Sequence, residues 1–161
     1  MSCAIALALT LLAAPGAAAT TTTAAPRTTA ATVTAALAQE PMYADIVRRA
    51  TALKAEAARL AALTAGNRPL PRYAGFKADL AALGALDMQG HFDLKARGTD
   101  GDLKCILKGI SEDLPKRLAD YETAKTVETR VEALKEMSYL LNDNVEVITR
   151  PPGPATPPPA G

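Results

Sequence analysis

Between Pro41 and Thr64, the residues Ile46, Ala50, Leu53, Ala57, Leu60 and Thr64 follow one another at spacings of 4-3-4-3-4. This rhythm keeps one seam of a helix facing a partner. Pro41 suits a first helical turn and Gly66 the position just past a helix end, so the pattern predicts a helix over 41–64. The alanines in the seam allow a partner to approach closely. The rhythm returns at Val127, Val131, Leu134, Ser138 and Leu141, followed by Asn142-Asp143-Asn144, which reads as a turn. These two helices are expected to pack against each other.

Between them, Tyr73, Phe76, Leu80 and Leu83 line one face of a short helix expected to finish before Gly90, with Gly84 weakening its second half. A polar loop is expected from Gly90 to Gly101, with Asp102 capping the next helix. There Leu103, Ile106, Leu107, Ile110 and Leu114 form a clean apolar stripe. Pro115 removes an amide donor, so this helix is expected to kink or restart near Ser111 and continue through Leu118 to Tyr121. Val145 to Ile148 branch and alternate enough to suggest a short strand or an extended cover. The expected fold is therefore all-α, a small antiparallel helical bundle over 41–150 built from about four helical units.

The two ends read differently. Ile5 to Ala14 is an apolar run followed by Pro15, Gly16 and Ala17-Ala18-Ala19, the order of a signal peptide's apolar region and cleavage site. A signal peptide over 1–19 is predicted, cut after Ala19, with Ala36-Leu37-Ala38 as the second-ranked site. The run is about half of the roughly 20 residues that span a bilayer, and no Cys follows it closely, so no stable membrane anchor is expected. The first basic residue is Arg27, behind the apolar run, which leads to the expectation that translation starts upstream of Met1. Residues 20–40, rich in Thr and Ala, and the tail 151–161, which holds six of the 12 prolines, lack the apolar content to offset ordering entropy and are expected to be disordered. The localisation this implies is periplasmic or secreted.

A length of 161 residues implies one domain. Hydrophobic residues make up 48% but aromatic ones only 4%, and Trp is absent, so the core must come from Leu, Ile, Val and Ala. The 18 basic residues against 17 acidic leave a formal charge of +1, too little for the long-range field used in nucleic-acid or anionic-membrane binding. Arg48, Arg49, Lys104, Lys108, Lys116 and Arg117 are interleaved with acids and lack an aromatic platform, a charge-mixed solvent face. No G-x-S-x-G, phosphate-loop or dinucleotide signature occurs. No cofactor is implied.

Four residues are candidates for chemistry. Removal of 1–19 would leave Cys105 as the sole thiol, at a helix start between Lys104 and Lys108, where cations and the positive helix end would lower its pKa. On a helical wheel it lies roughly 150° from the apolar stripe, so the alternatives are a reactive thiol, a disulfide joining two copies, or a small buried residue. His91, with Asp87, Asp93, Asp100 and Asp102 close in sequence, suggests a His–Asp pair or metal site, but one His and one thiol are few ligands. The leading expectation is an exported, non-enzymatic interaction module with an unidentified protein partner in the cell envelope. The second is a small redox or ligand-binding protein using Cys105 or the 90–101 loop. A lipid-carrying bundle, opened along its Ala-rich seam, is the third.

Overall fold

A computed structural model describes residues 37–98 and 101–150. The expected signal peptide, the Thr/Ala-rich segment up to residue 36, Cys3 and the Pro-rich tail lie outside the described residues. Four helices follow one another: α1 (Pro41–Ala65), α2 (Tyr73–Ala96), α3 (Gly101–Thr123) and α4 (Val127–Thr149). The fold is an all-α helical bundle. Short connections force sequential helices to run antiparallel. Cross-helix bonds show it: Tyr43 reaches Asp93, Tyr73 reaches Glu122, and His91 meets Lys104. α1 packs most extensively on α4, closing a ring in which α2 and α3 supply the other neighbours.

The predicted seam of α1 is buried in full: Ile46, Ala50, Leu53, Ala57, Leu60 and Thr64, with Tyr43 added one step earlier. Pro41 opens the helix, and the Gly66 amide closes it onto the Ala62 carbonyl. Leu37, ahead of α1, is also buried against the core. In α3 the stripe behaves as expected, with Leu107, Ile110 and Leu114 buried and Leu103 and Ile106 half-buried.

Several expectations are corrected. The helix expected to finish before Gly90 runs on to Ala96, because its buried positions Phe76, Leu80, Leu83, Asp87, Gly90 and Leu94 keep the 4-3-4-3-4 spacing. The loop expected at 90–101 is thereby reduced to a connection after Ala96, where Gly98 takes a left-handed φ of 63°. Likewise α4 does not stop at Asn142-Asp143-Asn144, and Val145 to Ile148 is helical rather than extended. The seam of α4 is Leu134, Met137, Leu141, Asn144 and Ile148, so Met137 takes the inward place expected of Ser138.

The remaining corrections concern α3. It runs through Pro115 as one helix, without a restart near Ser111. The Ser111 carbonyl, deprived of its Pro115 donor, faces the buried Gly84 of α2, where an added Cβ would stand 3.6 Å from it. Close approach of a second helix thus covers the defect. Asp102 lies inside the first turn of α3 rather than ahead of it, still at the end where a carboxylate is favourable. Cys105 consequently begins the second turn.

Candidate functional site

Two polar residues complete the seams of α2 and α4, and they meet across the diagonal of the bundle. Asp87 and Asn144 are both 0% exposed. The Asn144 amide donates from Nδ2 to Asp87 Oδ2 at 2.8 Å. Asp87 Oδ1 and Asn144 Oδ1 are buried without a hydrogen-bond partner among the described residues. Burial disfavours the charged form and pushes the Asp87 carboxyl up to about 7, against the smaller lowering effect of the Asn144 amide. A carboxyl in this position holds its proton well into the range where an exposed one has lost it.

The surroundings of the pair are apolar and tightly drawn. One turn below Asp87, Gly90 lets α1 and α3 close onto α2: a Cβ there would stand 3.1 Å from Leu107 Cδ1 and 3.5 Å from Ile46 Cδ1. The Tyr43 hydroxyl donates to Asp93 Oδ2 at 2.7 Å and lies 3.3 Å from the Gly90 carbonyl. Burial and the bond to Asp93 push this phenol far above its ordinary value, so it serves as a fixed donor. At the opposite end of the bundle the Thr64 and Tyr121 hydroxyls are 3.5 Å apart, linking α1 to α3.

The four candidates from the sequence are positioned by α2 and α3. His91, half-buried on α2, donates from Nδ1 to the Lys104 carbonyl at 2.7 Å, because a carbonyl can only accept. His91 therefore meets Lys104 through the backbone, tying the end of α2 to the start of α3. Cys105 is half-buried and forms no disulfide. The Lys108 ammonium pairs with Glu112 along the same helix. Asp87, expected to accompany His91, points instead into the core. Among the described residues no group of three or more His, Cys, Asp or Glu side chains could hold a metal ion.

On the outer face between α1 and α2 lies an open groove of about 250 Å³ lined by Arg48, Arg49, Arg72, Glu56, Asp79 and Phe76. Two of its cations are countered in place: Asp45 pairs with both Arg48 and Arg49, and these guanidinium groups hold the Asp45 carboxyl below the usual carboxylate range. The bond between Asp87 and Asn144 was missed in the sequence because each residue mimics a helix end. The signal that could have found it is the continuation of the 4-3-4 spacing through Asp87 on one helix and Asn144 on another.

Among the described residues no helix is long and apolar enough to cross a membrane. Comparison of the chain with family models, with curated proteins and with solved structures finds no match.

Proposed function

We propose that the protein is a non-enzymatic helical interaction module that works outside the cytosol, in the periplasm or as a secreted protein, on a protein partner of the cell envelope. Phe92 carries this reading. It stands on α2 with 57% of its surface exposed, and its ring meets the edge of His91 at a centroid distance of 5.2 Å. Since His91 is itself tied to the Lys104 carbonyl, the aromatic ring is presented on a braced support, the form of an anchor residue at protein interfaces. Tyr139 on α4 is a second large ring in water, 65% exposed. The surface charges of the described residues are mixed and mostly paired within one helix, which does not build a field for nucleic acid. Export rests on the order of residues 5–19.

The test places a photo-crosslinking amino acid at position 92 of the full chain in producing cells, with N-terminal sequencing of the protein in each fraction. The expected result is one discrete adduct in the envelope or medium, carried by a chain that begins at Thr20 and lost on substitution of neighbouring His91 by Ala. Recovery of Met1 from the cytosol would overturn the localisation, and absence of an adduct at 92 would overturn the surface. A thiol-based redox protein, or a homodimer through Cys105, is the second reading. Its support is the half-exposed position of Cys105 on α3, while the binding loop at 90–101 that formed its other basis is helix as far as Ala96. Monomer alone on a non-reducing gel after oxidation would remove the dimer.

A further inference from the structure

The Asp87–Asn144 contact contains one hydrogen bond and two stranded acceptors. As a carboxylate, Asp87 would bring a charge into a site with no exposure and receive one donor, the Asn144 Nδ2–H. Its second oxygen and the Asn144 carbonyl oxygen are both acceptors, so they cannot satisfy each other, and neither has another partner among the described residues. A single added proton changes the count. Placed on Asp87 Oδ1, it supplies a donor for Asn144 Oδ1 and closes an acid–amide ring with two hydrogen bonds and no unmatched oxygen.

We propose that Asp87 is a neutral carboxylic acid locked to Asn144 in this cyclic pair, and that the proton is a latch between α2 and α4 which loosens the bundle when it is lost. Release of the proton to solvent leaves two buried acceptors with no donor and a buried charge with one donor. That state is costly in an apolar interior.

Among the described residues no ion pair offsets the charge. On α1 the nearby seam holds the buried Tyr43, Ile46 and Ala50, of which Ile46 and Tyr43 reach Gly90 one turn from Asp87, and the Tyr43 hydroxyl is committed to Asp93. On α3 the buried seam holds Leu107, which reaches Gly90, and Ile110, and the buried Tyr121 lies at the far end against Thr64. On α2, His91 turns to the Lys104 carbonyl. On α4, Asp143 lies beside Asn144 and is raised by burial and by Glu146, so it titrates in the same direction and must be separated by a variant. Burial and the Asn144 amide account for the behaviour of Asp87 itself.

The sign follows from the proton count. Below the unfolded value of 3.8 both states hold the proton. As pH rises from there towards about 7 the folded state alone retains it, so stability falls throughout that window and levels off above it. The contribution of Asp87 is greatest in acid.

The experiment compares the full chain with its D87N variant, in which a second amide can form the same two-bond ring without titrating. Thermal unfolding is followed from pH 4.5 to 8, together with the ¹³C shift of the Asp87 carboxyl carbon in the folded wild-type protein. The melting temperature of the wild type is expected to fall relative to D87N over that range by an amount on the order of 10 °C. The carboxyl signal is expected to move with a midpoint near 7. Melting curves that run parallel at all pH values, or an Asp87 carbon already ionised at pH 5 in the folded chain, would overturn the latch. The carbon signal decides the question alone should D87N fail to fold.

Discussion

Gly90 of α2 lies under Leu107 of α3, so close that a methyl group in place of the glycine hydrogen would come within 3.1 Å of Leu107 Cδ1. Leu107 is fully buried, and the equally buried Ile46 and Tyr43 stand at 3.5 Å from the same point, so none of the three can move out into solvent. A helix-interior glycine usually weakens its helix by about 1 kcal/mol, and here the weakness permits three helices to converge. Gly90→Ala is expected to lower stability by about 1 kcal/mol despite its better helix propensity, and Gly90→Val by more. Gly109 on α3 has nothing within 4 Å of an added Cβ, so Gly109→Ala is expected to raise stability by roughly 0.5–1 kcal/mol. Urea unfolding of the three variants checks both signs.

The contact of α1 with α4 dominates the packing, and Leu134 sits in it with no exposed surface. Leu134→Ala is expected to cost about 2–5 kcal/mol, through lost burial and the cavity left behind. Leu53, 5% exposed on the facing helix, falls in the same range. Ile106, half-buried at the margin of α3, is expected to cost less than either. Equilibrium denaturation should preserve that order.

α4 begins with a reciprocal cap. The Thr126 hydroxyl accepts from the Thr129 amide at 3.2 Å, and the Thr129 side chain accepts from the Thr126 amide at 3.4 Å. Thr126→Ala should destabilise the protein by about 1 kcal/mol, whereas Thr126→Ser, which keeps the acceptor, should stay within a few tenths. Amide exchange in the first turn of α4 is the local readout.

Arg97 fastens the two helix ends at one pole of the bundle. Its guanidinium donates to both carboxylate oxygens of Glu40, at 2.9 and 2.6 Å, and pairs with Asp93 at 2.8 Å. The bonds from Arg97 hold the Glu40 carboxyl below its ordinary 4.5, so their contribution is present above that pH and lost as pH falls through the depressed value. This is the reverse of the dependence set by Asp87. The groups are exposed to water, and Arg97→Ala is expected to cost no more than about 1 kcal/mol. The loss should shrink between 0.05 and 0.5 M salt, roughly tenfold apart, as surface charges are screened.

The seam of α1 was legible from spacing alone because each of its inward positions from Ile46 to Thr64 is apolar or small. The partnership of α1 with α4 could be read for the same reason. The second half of α2 could not, since Gly84, Asp87 and Gly90 carry the signs of a loop while occupying buried places. In α4 the run Asn142-Asp143-Asn144 has turn chemistry, yet Asn144 faces inward. Of the candidate site residues, His91 and Lys104 are joined, but through a carbonyl that no side-chain pattern reveals.

By itself the sequence determined that the chain forms amphipathic helices, where their apolar stripes lie and which two of them belong together, because periodicity is a local property written along the chain. Only the tertiary structure decided that Asp87 and Asn144 are core residues and that they face each other. Their polarity argues for solvent in isolation, and what reverses it is a partner 57 residues away whose hydrogen bond exists only once four helices have closed around it.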